Sequence, residues 1–167
     1  MNRHYDRYLV KKYEPLYKDR YSDPRSTAMC WGFEVGDGWF NIINQLSYKL
    51  CAEWLWAKDR YERIRDREGL TLFGGQEKQG NNIITSEMIE DARIRMEEEY
   101  KKVPVATQVK EKYGTLRFYI YGGTDAHLAY IDMACAMSSV TCEVCGNKGK
   151  SNQYGWIVTR CREHEDD

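Results

Sequence analysis

Near the end of the chain, TCEVCGNKGKSNQYGWIVTRCREH (141–164) carries two close pairs of soft ligands, Cys142 with Cys145 and Cys161 with His164. Fifteen residues separate the pairs, which is the spacing of a four-ligand structural metal site. A Cys-x-x-Cys-Gly turn aims both sulfurs at one centre, because the glycine that follows the second ligand accepts a positive φ. The second pair completes a tetrahedron, and Gly149 and Asn152 read as turn residues between the halves. Tyr154 to Thr159 reads as a short β-rich segment delivering Cys161. The expectation is one zinc ion in a zinc ribbon or treble-clef-like module. Four protein ligands leave no position for water, so the zinc is expected to be structural rather than hydrolytic.

Upstream, the pattern is α+β. Short helical pieces are expected between Asn2 and Arg25, the clearest over 7–13, with Pro15 and Pro24 limiting their length. The loop AMCWGFEVGDGW (28–39) sets Trp31 and Trp39 around three glycines and ends with Asp37 placed to cap the next helix. Apolar positions at Trp39, Ile42, Ile43, Leu46, Leu50, Trp54, Ala57, Tyr61 and Ile64 predict one long central helix over 38–68, ended by Gly69. The stretch to Asn82 reads as loop. A second helix is predicted over 86–102, capped by Thr85 or Ser86, with Met88, Ile89, Ala92, Met96 and Tyr100 inward. A hairpin follows in PVATQVKEKYGTLRFYIYGG, turning at Tyr113-Gly114 and open to membership of a three-stranded sheet. Leu116, Phe118 and Ile120 share one face of its second strand, and Arg117, Tyr119 and Tyr121 the other. A third long helix is predicted over 126–140, capped by Thr124 or Asp125, burying Leu128, Ile131, Cys135 and Met137. The expected organisation is an α+β body over 1–140 and a zinc module over 141–167 packed on it or continuous with it.

Two places invite a ligand. The 28–39 loop sits at a helix N-terminus, where free N–H groups favour an anionic or planar group, making Trp31, Asp37 and Trp39 candidate contacts. The alternative is that these aromatics anchor the loop in the core. Arg117 beside Tyr119, with Lys110 and Lys112 on the partner strand, combines phosphate contacts with stacking surface, although a plain solvated sheet face would look the same. Partners of the binding kind are therefore expected: another protein or a small anionic ligand, or else nucleic acid held by Lys110, Lys112, Arg117, Lys148 and Lys150. A net charge of -1 argues against a wholly nucleic-acid-gripping surface but not against a local patch. Glu34, Asp37, Glu111 and His127 are the acid-base candidates, yet their spacing does not demand chemistry, so an enzyme is the least favoured class. The charged N-terminus has no apolar run, so neither a signal peptide nor a membrane anchor is expected. In a reducing cytosol, Cys30, Cys51 and Cys135 then read as free thiols.

The blocks MCWGFEVGDGWFNIINQL, VKEKYGTLRFY and CEVCG with WIVTRCREH, in that order, resemble a family of small proteins of bacteriophages and prophages. The resemblance spans 29–164 and implies a phage-related accessory protein of the host bacterial cytosol with a C-terminal metal site. It implies Cys142, Cys145, Cys161 and His164 as the metal positions and a host protein as partner, and brings no reaction and no catalytic residues with it.

Overall fold

A computed structural model describes residues 1–71, 83–152 and 155–165. The readings of 72–82 as loop and of Tyr154 as strand lie outside the described residues. The fold is α+β, with five α-helices, a three-stranded mixed sheet and a two-stranded sheet among the described residues. The chain divides into two compact units, Met1–Cys51 with Pro104–Asp167, and Ala52–Val103.

In the first unit, helix α1 (Arg3–Lys12) starts four residues before the predicted position. Asn2 explains the early start, because its side chain accepts from the backbone N–H groups of His4 and Tyr5. Three strands form the sheet, in the order β1 (Phe33–Glu34), β2 (Val105–Lys112) and β3 (Thr115–Tyr121). β1 runs parallel to β2, and β2 and β3 make the predicted hairpin. Its two-residue turn has φ 55° at Tyr113 and 71° at Gly114, the left-handed pair that matches strand twist. A bulge between Ala106 and Gln108 shifts the pleat of β2. Ala106 is therefore buried in place of Val105 and Thr107, which alternation put on one face with Val109, while Val109 keeps its buried position. On β3 the predicted faces hold, with Leu116 and Phe118 buried and Tyr119 and Tyr121 exposed.

The buried face of the sheet meets Leu9, Tyr13, Leu16, Tyr17, Met29, Trp39 and the inner side of α2 (Phe40–Leu50) in one core. Tyr17 packs edge-on to Phe33 with ring centroids 4.9 Å apart. Ser47 spends its proton on the Ile43 carbonyl, so Tyr17 donates to the Ser47 oxygen at 2.6 Å. Tyr13 donates to the Asn44 carbonyl and side-chain oxygen, and Tyr5 stacks on Phe40 at 4.0 Å. These N-terminal tyrosines serve packing.

The predicted 38–68 helix is two helices, α2 and α3 (Ala52–Ile64), because Cys51 leaves helical geometry at φ -108°, ψ 6°. Cys51 is buried in the first unit, and its thiol is pushed up to about 12 by that burial, with the Leu16 backbone opposing. Periodicity alone ran straight through this point because the apolar spacing does not change there. α3 stops at Ile64, and Gly69 lies beyond it in a turn whose N–H donates to the Ile84 carbonyl. In the second unit, α4 (Ser86–Lys102) has the predicted bounds, with Thr85 accepting from the Met88 N–H. Ile64, Ile84 and Ala92 form its core with Tyr61 and Ile89 against them, and Trp54 meets Tyr100 edge-on at 6.1 Å.

α5 (Asp125–Ser138) opens with a reciprocal cap between Thr124 and His127. Ile131, Ala134 and Ser138 are its buried stripe, whereas Leu128 and Met137, expected inward, are exposed. Small residues at 134 and 138 bring α5 close to β3, and Ser138 accepts the otherwise unpaired Leu116 N–H at 2.8 Å. Among the described residues no helix is long and apolar enough to cross a membrane.

Candidate metal centre

α5 runs directly into the knuckle. At Cys142 the chain turns back through hydrogen bonds from the Gly146 N–H to the Cys142 carbonyl (2.9 Å) and from the Cys142 N–H to the Asn147 carbonyl (2.7 Å). Gly146 sits at φ 81°, the conformation its position after the second ligand called for. A short hairpin of β4 (Lys150–Ser151) and β5 (Thr159–Arg160) then returns the chain, and a 3-10 turn over Arg162–His164 presents the second pair. Knuckle, hairpin and terminal turn make a compact treble-clef-like arrangement.

The four donor atoms lie within 4.8 Å of one another. Cys145 and Cys161 sulfurs are 3.6 Å apart, and His164 Nδ1 is 3.9 Å from Cys142 and 3.1 Å from Cys161 sulfur. A tetrahedral ion with metal–sulfur bonds of about 2.3 Å and metal–nitrogen bonds of about 2.0 Å wants its donors about 3.5–3.8 Å apart. The cluster therefore fits one metal ion. Charge points the same way. Burial raises the Cys142 thiol, but N–H groups of Cys145, Cys161 and Val144 overcome it and pull the thiol down to about 6. The Asn147 N–H lowers Cys145, yet burial and the neighbouring Cys161 and Cys142 groups hold it above the usual range. One thiolate forms readily and opposes a second, a conflict that a bound cation removes.

Residues that sequence reasoning did not assign to the site hold it in place. Glu143, 8% exposed, accepts the Gly36 N–H at 2.8 Å through one oxygen and pairs with Arg160 at 3.0 Å through the other. The Glu143 carbonyl accepts the Gly38 N–H, and the Glu143 N–H donates to the Thr159 carbonyl. Thr159 Oγ1 donates to the Gly114 carbonyl at 2.6 Å, tying the metal hairpin to the β2–β3 turn. The readable signal was the Gly-x-Gly before Trp39: both glycines lie where a neighbouring backbone presses against them. A methyl group on Gly36 would overlap the Glu143 carbonyl, and one on Gly38 would overlap the Cys142 carbonyl and the Gly146 nitrogen.

Of the candidate ligand contacts, Trp39 is fully buried and donates from Nε1 to the Thr141 carbonyl at 2.8 Å. It anchors the loop beneath the knuckle and offers no face to a ligand, which corrects the pocket-wall reading for this residue. Asp37 accepts from the Asn2 backbone and side-chain amides at 2.7 and 2.6 Å. Trp31 is 68% exposed, away from Trp39 in environment. Arg117 and Tyr119 do come together with Lys110 and Gln108 on the outer face of the sheet. The acid-base candidates have local duties: Glu111 accepts the Gly114 N–H, His127 caps α5, and Glu34 accepts from Gln108 at 3.4 Å. Lys148 and Lys150 are exposed, and Lys150 lines a cleft of about 470 Å³ together with Arg160, Arg162 and Glu165.

Replacing Trp39 with phenylalanine is expected to cost about 2–3 kcal/mol in denaturant unfolding, since it shrinks a buried ring and orphans the Thr141 carbonyl. The same change at Trp31 should stay within about 0.5 kcal/mol.

Comparison with family models, curated proteins and solved structures finds no match to this chain.

Proposed function

We propose that this chain is a phage-related accessory binding protein of the host bacterial cytosol, in which one structural zinc holds the C-terminal segment and the sheet's open face recognises a host protein or a small anionic, nucleotide-like ligand. Zinc is the ion that three thiolates and one imidazole at tetrahedral spacing suit best. The binding role is carried by one observation: Lys110 stands opposite Arg117 and Gln108 opposite Tyr119, on a face that leaves Tyr119 45% exposed. Buried pairing would have hidden such groups. The phage attribution draws on the three sequence blocks of the resemblance, which meet here through Gly36 and Gly38, Gly114, and the 142–161 segment.

Native mass spectrometry of protein purified from cells, before and after chelation, tests both parts. The expected result is one zinc per chain and a co-purified mass that Arg117→Ala loses while circular dichroism stays unchanged. Absence of metal would overturn the zinc assignment, and a co-purified mass indifferent to Arg117→Ala and Tyr119→Ala would overturn the face.

A further inference from the structure

The outer face of β2 and β3 has a composition that selects among ligands. After the bulge, Gln108, Lys110 and Lys112 alternate outward on β2, opposite Tyr119, Arg117 and Thr115 on β3. Tyr121 continues the row and is 77% exposed. Facing them from β1 is Glu34, opposite Lys110 and bonded to Gln108. Glu111 lies in the alternate register, and its carboxylate is occupied by the Gly114 N–H. Among the described residues paired in these strands, the face thus sets three cations against one carboxylate, in a chain whose overall charge is -1. A cationic local field on a near-neutral protein marks a particular anionic partner rather than general adhesiveness.

The two tyrosines narrow the partner. Two residues apart on one strand, Tyr119 and Tyr121 stand about 7 Å apart along β3. Duplex bases are stacked about 3.4 Å apart, with their faces covered by their neighbours. An extended single strand can open its bases to this spacing and lay each on a ring, while Lys110, Lys112 and Arg117 lie alongside to meet phosphates. Arg117 is already oriented, since one guanidinium nitrogen donates to Thr115 Oγ1 at 2.6 Å and to the Leu116 carbonyl at 3.2 Å. We propose that this face binds single-stranded nucleic acid, with Tyr119 and Tyr121 stacking successive bases and Lys110, Lys112 and Arg117 contacting the backbone; the assignment rests on the reading that this is the protein's binding face.

Fluorescence anisotropy of the zinc-loaded full chain with a labelled fifteen-nucleotide oligo(dT) tests it, at 50 and 200 mM salt and with a duplex of the same length as comparison. Binding at low salt is expected to weaken roughly tenfold across that salt range if about two to three phosphates are neutralised. Tyr119→Ala with Tyr121→Ala should weaken it at least about tenfold, and Lys110→Ala should flatten the salt dependence. Tyr119→Phe with Tyr121→Phe, which keeps the rings, should retain it. No binding at 50 mM salt, or equal affinity for the duplex, overturns the proposal. So does a loss that follows Lys150→Ala and Arg162→Ala instead, which would place the contact on the metal hairpin. If oligonucleotide binding fails while a co-purified ligand still depends on Arg117, the nucleic-acid assignment falls and the binding face stands; if neither depends on it, both fall.

Discussion

Replacement of Cys142 by serine is expected to release the metal, free the 141–165 segment and lower the stability of the first unit by more than about 4 kcal/mol, in the range reserved for losing a metal site. The size follows because few of the contacts around the second ligand pair reach the body directly, and the rest depend on the knuckle keeping its shape. β4 and β5 pair at only two positions, Lys150 with Arg160 and Ser151 with Thr159. Among the described residues, further ties run from Thr159 to Gly114, from Glu143 to Gly36, Gly38 and Thr159, from Arg160 to Glu143 and from Trp39 to the Thr141 carbonyl. Each is worth about 1 kcal/mol net, or somewhat more for the charged pair, and each presupposes the turn geometry that a bound metal would fix. Chelation should reproduce the serine variant. Zinc stoichiometry, thermal unfolding and hydrogen exchange check it: the outcome expected is loss of protection across 141–165. A metal-free protein with the same protection and midpoint would show that the segment is held by packing alone.

Gly38→Ala is expected to do comparable damage without touching a ligand. Its Cβ would overlap the Cys142 carbonyl and the Gly146 nitrogen and stand 2.7 Å from the Glu143 carbonyl, all backbone atoms of the knuckle. Backbone cannot swing aside as a side chain can. Either the 36–39 turn lifts off, breaking the Gly38 to Glu143 hydrogen bond and displacing the Trp39 anchor, or the knuckle opens and metal affinity falls. Overpacking of this kind costs at least about 2–3 kcal/mol, and disturbance of the shell around a metal site weakens binding about 10–100-fold. Gly155→Ala is the matched comparison. Its φ is 76°, but nothing lies within 4 Å, so only the left-handed backbone penalty of about 1–2 kcal/mol applies. Denaturant unfolding and competitive zinc titration separate the two variants. Equal effects would mean that the close approach of the loop to the knuckle carries no energy.

Local rules read most of the elements. The Tyr113-Gly114 turn and the Arg117, Tyr119 and Tyr121 row follow from residue types and short-range spacing and stand as expected, and of the two capping residues open at each helix start the structure uses Thr85 and Thr124. Local rules failed where a distant segment decides. Cys51 breaks a helix whose periodicity continues, and the Ala106–Gln108 bulge exchanges the buried positions of β2. Leu128 and Met137 lost the interior to Ala134 and Ser138, because close packing of α5 on β3 rewards small side chains over large apolar ones.

The metal cluster shows the same division. Four candidate ligands spaced in pairs announce themselves in sequence, since both partners of a knuckle must lie within one turn of chain to reach one ion. Their surroundings do not. That Gly36 and Gly38 lie against Glu143, that Trp39 bonds Thr141, and that Thr159 bonds Gly114 are contacts across 107, 102 and 45 residues for the side-chain bonds involved. Spacing along the chain carries no information about which backbone will press on which. By itself the sequence marked the candidate ligand set, the hairpin, the helices over 86–102 and 126–140 and the two faces of β3; only the tertiary structure decided that the glycine loop, the hairpin turn and the knuckle close on one another, because hydrogen bonding and steric exclusion between remote segments exist only once the chain is folded.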